Sequence, residues 1–276
     1  MKRWLTFVVA LGLLAAGLGL WAASRWTNRP LSVAAAGKVF TVEAGEPFVR
    51  VSQRLASEGI VDHPRWLAWY ATLRGDAARV QAGEYQIEAG TTPGGLLEQL
   101  VEGRVLMHTV TLVEGWTFAQ ARAAIQSDPS VQVELGDLDD TSVMDRLGKP
   151  GVHPEGRLMP DTYRFARGTT DSRLLSLALE KLDAALAEAW ASRAPGLPLA
   201  TPEEALILAS LVEKETGAAD ERPRVAGVFV NRLRMGMRLQ TDPSVIYGLG
   251  DAFDGNLRKA DLLRDGPYNT YRRGGL

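Results

Sequence analysis

Residues 201–247, TPEEALILASLVEKETGAADERPRVAGVFVNRLRMGMRLQTDPSVIY, place two carboxylates at the end of an almost wholly apolar helix. Thr201, Pro202 and Glu204 read as an N-cap, a first-turn proline and a capping-box glutamate. Ala205 to Val212 then holds a single polar residue, Ser210, which predicts a helix buried all round. Glu213 and Glu215 follow, before Gly217 supplies a stop. At helical spacing Glu215 lies over Leu208, Leu211 and Val212, whereas Glu213 lies over Leu206, Ala209 and Ser210, a smaller and more polar set. The spacing therefore predicts that Glu215 is the more desolvated acid. Burial raises a carboxyl pKa, by up to ~3–5 units when complete, and a glutamic acid still protonated near neutrality can donate to a leaving oxygen. Composition alone favours a blander reading, in which both acids cap and solvate the helix end, with Lys214 alongside.

A second amphipathic helix is expected from Arg222 to Met235, with Val225, Val228, Phe229 and Leu233 along one face and Gly236 ending it. A polar turn, Arg238-Leu239-Gln240-Thr241-Asp242-Pro243, comes next, in which Thr241 or Asp242 caps a short helix beginning at Pro243. The segments VEKETG, FVNRLRMGMRLQTDPSVIYG and PYNTY, together with Glu155-Gly156-Arg157-Leu158-Met159-Pro160-Asp161-Thr162-Tyr163, resemble the signature segments of the MltG-type (YceG-like) endolytic murein transglycosylases. The resemblance runs, more weakly, over nearly the whole chain. It implies that Glu215, the second glutamate of the EKET segment, is the catalytic residue, in agreement with the burial argument. Glu215-Thr216 is also similar to the Glu-Ser pair of the lysozyme-like lytic transglycosylases.

The chemistry implied by the resemblance needs one acid. Ordinary retaining and inverting glycosidases use two carboxylates. In a lytic transglycosylase the substrate's own N-acetyl group stabilises charge at the anomeric carbon and its own 6-hydroxyl attacks to close a 1,6-anhydro ring. Glu215 would protonate the bond between N-acetylmuramic acid and N-acetylglucosamine, then take the proton from that hydroxyl. Such a reaction within nascent strands would end glycan polymerisation. Gln240, Thr241, Asp242, Tyr268 and Asn269 are the candidate substrate-binding residues; for Asp242 a helix cap before Pro243 is the preferred alternative. The competing functional class is a non-catalytic, membrane-anchored murein-binding or scaffold protein.

At the N-terminus, Met1-Lys2-Arg3 precedes an uncharged run from Leu5 to Ser24, long enough at ~1.5 Å per residue to cross a hydrocarbon core of ~30 Å. A single transmembrane anchor is expected there. A cleaved signal peptide is the rival, since Ala22-Ala23-Ser24 offers small residues for processing, but its apolar core is usually only ~7–15 residues. Charge bias does not decide orientation, because Lys2 and Arg3 face Arg25, Arg29 and Lys38 across the run. The resemblance implies a cytoplasmic N-terminus, a periplasmic catalytic domain and the inner (plasma) membrane, with peptidoglycan strands, the membrane and cell-wall synthases as partners. The chain has no cysteine, which excludes disulfides and a lipid-bearing N-terminal cysteine.

The 276 residues are 46% hydrophobic and 23% charged, ample for two or three small domains with cores of their own. A net charge of -2 gives no basic footprint of the kind a nucleic-acid binder needs. His63, His108 and His153 are far apart in sequence, so neither metal nor other cofactor is expected. There is no phosphate-cradling glycine loop and no nucleophilic serine or cysteine motif.

The fold class expected is α+β: the single N-terminal transmembrane helix, a LysM-like α+β subdomain, then a mainly helical, lysozyme-like catalytic domain. Residues 1–25 would form the cytoplasmic tip and anchor, and 26–37 a Pro/Ala-rich linker. Residues 38–105 would be the LysM-like unit, read from a strand at Val39–Val42, helices at Glu46–Glu58 and Pro64–Leu73, a strand at Gly83–Ile87 and a helix at Thr92–Glu102. Such modules bind N-acetylglucosamine-containing glycans; for Trp66, Trp69 and Tyr70, core packing is preferred to a sugar-stacking platform. Residues 106–154 would be a βα unit beginning at His108–Leu112 and an acidic connector from Ser127 to Val152. Residues 155–276 would hold the catalytic domain, with one long amphipathic helix over Asp171–Arg193. The family continues past the segment matching Tyr268–Tyr271, so the resemblance implies that this domain is incomplete at Leu276 and that its groove lacks a wall.

Overall fold

The computed structural model describes residues 24–276 and, before them, only Leu14, Gly17, Gly19, Trp21 and Ala22. The chain divides into two compact units. One runs to His108 and includes Arg164–Gly168; the other comprises Thr109–Tyr163 and Thr169–Leu276.

In the first unit β1 (Lys38–Val42) pairs antiparallel with β2 (Gly83–Ile87), Phe40 lying opposite Tyr85. Helices α1 (Phe48–Ser57) and α2 (Pro64–Leu73) stand between the two strands in sequence, and α3 (Pro93–Glu102) follows them. The period-two alternation turns Phe40, Val42, Tyr85 and Ile87 to one face, where Val51, Leu55, Leu67, Leu96, Leu97 and Leu100 close a core. Thr92 caps α3 through the Gly95 N–H at 3.1 Å, and Gly103 ends it at φ 67°, a left-handed conformation that glycine adopts without strain. Buried Glu84 accepts from His108 Nε2 at 2.7 Å and from Arg167 at 3.4 Å, which ties Arg167 to this unit. The preference for packing Trp66 and Trp69 into the core is corrected: they are 52% and 61% exposed. Leu67 and Ala71, four positions apart, are the face of α2 that is buried, so Trp66 and Trp69 turn outward, while half-buried Tyr70 packs against the core.

A second two-stranded sheet joins β3 (Met107–Leu112) to β4 (Asp161–Ala166). Between them in sequence come α4 (Phe118–Gln126) and, inside the expected connector, α5 (Asp140–Arg146). After β4 runs α6 (Asp171–Ala191), whose first residue is wholly buried. Asp171 accepts the Glu134 and Leu135 N–H groups at 2.9 and 3.2 Å and the Gln126 amide at 2.8 Å, pinning a loop and α4 to the start of α6. The rest of the described chain is helical: α7 (Pro202–Glu215), α8 (Arg222–Arg234), α9 (Asp242–Leu249) and α10 (Lys259–Leu263), with a 3-10 turn at Gly250–Ala252.

The expected fold class needs correction in its membrane-spanning part. Among the described residues no helix is long and apolar enough to cross a membrane. The longest, α6, carries Asp171, Arg173, Glu180, Lys181, Asp183 and Glu188, charges a bilayer core would not accept. Most of Leu5–Ser24 lies outside the described residues. What is described is α+β, with two small sheets and predominant helices.

Candidate active site

Helix α7 begins where Thr201 accepts the Glu204 N–H at 3.2 Å, with Pro202 in the first turn. Glu204 reaches back to the Ala200 N–H at 2.5 Å. The helix is not buried all round. Leu208, Leu211 and Val212 form its buried stripe against Phe229 of α8 and Leu239, whereas Ile207, Ala209 and Ser210 are exposed. An i, i+3, i+4 stripe is all that two packed helices need, and the apolar residues beyond it stay at the surface.

The two acids at the end of α7 meet opposite fates. Glu213 is half-buried and ion-paired to Arg222 at 3.0 Å. Glu215 is exposed, which reverses the expected order of desolvation. A helical side chain leans toward the N-terminus and is covered by what packs over that turn. Glu215 is the last helical residue, and Thr216 leaves in an extended conformation at φ -145°, so nothing of the helix follows to enclose it. Among the described residues Glu215 has no cationic partner; its carboxylate Oε2 accepts from the Thr241 hydroxyl at 2.7 Å.

Thr241 is held from several sides. It is 2% exposed. Its N–H donates to Thr270 Oγ1 at 2.9 Å, and its carbonyl accepts from Ser244 Oγ at 2.8 Å and from Thr270 Oγ1 at 3.3 Å. The residue before it, Gln240, has φ 53°, the one positive φ outside glycine among the described residues. That left-handed turn costs about 1–3 kcal/mol in a non-glycine residue, a strain that concentrates at functional sites. Leu239 and Thr241 on either side are buried, while the Gln240 side chain is exposed and its N–H donates to the Thr270 carbonyl at 3.2 Å.

Asp242, the first residue of α9, accepts from the Tyr271 hydroxyl at 2.6 Å. That hydrogen bond, then burial, then the charges of Asp242 and Glu215 push the Tyr271 phenol up to about 12. Glu215, Thr241, Asp242 and Tyr271 thus form one cluster, with Thr270 and Ser244 beneath it at 2.8 Å from each other. Tyr268 belongs to a second group. It is 43% exposed and meets Tyr247 edge to face, centroids 4.9 Å apart, and Tyr247 donates to Glu155 Oε2 at 3.2 Å. Burial, and then the Glu155 carboxylate, hold the Tyr247 phenol above its ordinary range. The other oxygen of Glu155 accepts the Phe118 N–H at 2.9 Å. Asn269 is a strut and not a groove residue: it is buried, its amide donates to the carbonyls of Leu262 and Arg264 at 3.1 and 2.6 Å, and its oxygen accepts the Tyr271 N–H.

Sequence reasoning missed Tyr271, Thr270, Ser244, Tyr247 and Glu155. All stand inside the quoted segments, so the signal was present, but hydroxyls that bond to partners 26, 29 or 92 positions away leave no periodic trace. A concavity of about 600 Å³ in the same unit, lined by Glu134, Arg146, Ser172 and Arg173 among others, shares no residue with the cluster, so volume alone does not find the site. Among the described residues no group of three His, Cys, Asp or Glu could hold a metal ion.

A family model described as the YceG-like family matches residues 40–276. The chain belongs to that family. A Bacillus subtilis protein named endolytic murein transglycosylase is 30% identical over 252 residues, covering 85% of this chain and 69% of that relative. A Streptococcus pneumoniae protein of the same name is 28% identical over 309 residues, covering 99% of this chain and 55% of its own length. This member of the YceG-like family therefore spans little more than half of that relative. A solved yceG-like protein from Listeria monocytogenes aligns with a TM-score of 0.51 and 25% identity, over 88% of this chain and 85% of that one.

Proposed function

We propose that this YceG-like chain is a lytic transglycosylase of murein, cleaving between N-acetylmuramic acid and N-acetylglucosamine and leaving a 1,6-anhydro end. The observation that carries the reading is Glu215: an acid without a cationic partner among the described residues, held by a buried hydroxyl at an exposed helix end, in a chain whose relatives are named endolytic murein transglycosylases. Its carboxylic proton goes to the glycosidic oxygen as the bond to the anomeric carbon breaks, with the substrate's N-acetyl group sharing the positive charge. The carboxylate then takes the proton of the 6-hydroxyl as that oxygen closes on the anomeric carbon. No water enters, and the enzyme ends as it began.

The other acids of these segments support a one-carboxylate route. Glu213 is ion-paired to Arg222, Asp242 accepts from Tyr271, and Glu155 is engaged by Tyr247 and the Phe118 N–H. The exposure of Glu215 moves the source of desolvation from the protein to the substrate. A glycan laid over the helix end displaces the water around the carboxyl, and Tyr268 offers it an exposed aromatic face. Murein lies outside the cytoplasm, and we place the site there, acting on strands as they are made.

The test is strand cleavage by two variants. Glu215→Gln keeps the shape and removes the proton, and it should lose activity by about 10²–10⁴-fold, the range a general acid contributes. Glu213→Gln should keep substantial activity. An active Glu215→Gln beside an inactive Glu213→Gln would reject the assignment of the acid, and intact strands with every variant, wild type included, would leave a glycan-binding protein.

A further inference from the structure

Among the described residues, four of the threonines at helix N-caps use their hydroxyls in the same way. Thr92, Thr117, Thr170 and Thr201 accept the N–H three residues on, at 3.1–3.2 Å. Thr241 stands at the N-cap of α9 and makes no side-chain cap bond. Its hydroxyl is directed instead to Glu215 Oε2 at 2.7 Å. The helix forgoes a stabilising cap, and the turn that delivers Thr241 includes the strained Gln240. The peptide groups of Thr241 are fixed by Thr270 and Ser244, and its side chain is buried, so the hydroxyl has a fixed origin. Glu215, by contrast, is an exposed side chain with several rotatable bonds that would otherwise be free to sample other rotamers.

A carboxylate accepts through either oxygen, but a carboxylic acid has one oxygen that carries the proton and one that only accepts. With Thr241 donating to Oε2, the proton resides on Oε1. We infer that Thr241 is a positioning residue for the transglycosylation: it fixes Oε2 as the acceptor, so that Oε1 is the oxygen that gives its proton to the glycosidic bond and later recovers one from the 6-hydroxyl. The inference rests on Glu215 being the acid. The absent cap bond shows that Thr241 is oriented toward the carboxyl and not toward the α9 N-terminus.

The experiment is steady-state cleavage of uncrosslinked murein strands by the full chain carrying Thr241→Val, Thr241→Ser or Glu215→Gln. Thr241→Val keeps the shape and removes the donor; kcat should fall about 10- to 100-fold with KM unchanged, because ground-state binding of the glycan does not use this bond. Thr241→Ser restores the donor and should lie within about threefold of wild type. A Thr241→Val enzyme as fast as wild type overturns the inference while leaving the function standing. So does a Thr241→Ser enzyme as slow as Thr241→Val, since the methyl packing would then be what matters. Should Thr241→Val fail to fold, as read from its thermal melt, Thr241→Ser and Thr241→Ala make the same comparison, and equal rates for those two overturn the inference. An active Glu215→Gln would instead remove the functional reading on which it rests.

Discussion

Glu213 and Glu215 stand two positions apart on one helix, and what separates them is what lies opposite each side chain. Helical spacing correctly gave the stripe under Glu215, namely Leu208, Leu211 and Val212, but a stripe buries a residue only if something covers it from above. Thr216 turns the chain away, and the acid is left at the surface with Thr241 as its partner. Pairwise contacts made 26 or 29 positions away are invisible to a periodicity argument: Thr241 and Asp242 were named as candidates from the segments that carry the family resemblance, and Tyr271, in the same segments, was not named. Tyr271 gives a direct check of the cluster. Its phenol, raised from about 10 to about 12 chiefly by the hydrogen bond to Asp242, favours the folded state while it is protonated. That contribution is complete below pH of about 10 and is lost as pH rises through about 12. The difference between alkaline phenolate titrations of wild type and Tyr271→Phe should show one group with a midpoint near 12; a midpoint near 10 would mean that Tyr271 does not hold Asp242 in solution.

Element positions were the most legible feature of the chain, because caps and stops are written locally. The helix at Pro64–Leu73 and the strand at Gly83–Ile87 were placed as observed, and the helix expected from Arg222 to Met235 ends one residue earlier, at Arg234. The acidic stretch Ser127–Val152, read as a variable connector or surface subdomain with no element assigned to it, contains a helix, Asp140–Arg146, that starts at a cap, Asp139, accepting the Ser142 N–H at 2.8 Å. A seven-residue helix has too few turns for a periodic signal. Two substitutions separate a local cap from a tertiary tie. Thr201→Ala removes the hydroxyl that caps α7 and should cost about 1 kcal/mol in urea unfolding. Asp171→Ala strips acceptors from the Glu134 and Leu135 N–H groups and from Gln126 in a wholly buried position. It should cost about 3 kcal/mol, since buried donors left without partners are more damaging than a lost surface cap. Equal losses for the two would show that the buried bonds of Asp171 contribute no more than a local cap does.

At the scale of the molecule, each unit carries its own core, and the sequence was informative where the apolar period was clean. In the first unit Leu67→Ala empties a site that is 0% exposed and should cost about 2–5 kcal/mol, lowering the melting temperature by roughly ten degrees or more. A shift of only a degree or two would mean that α2 is not integral to that core. The outward turn of Trp66 and Trp69 was missed because aromatic residues at helical spacing look alike whether they face in or out. A bilayer span was expected from Leu5 to Ser24, most of which lies outside the described residues; among the described residues no helix is long and apolar enough to cross a membrane, α6 being long enough but too charged. The function rests on one bond-breaking event, and the mass of the new chain end reports it most directly. Murein strands digested by this chain should carry 1,6-anhydro ends, one water lighter than hydrolytic ends, and those ends should vanish with Glu215→Gln. New reducing ends at full hydrolytic mass would contradict a lytic transglycosylase.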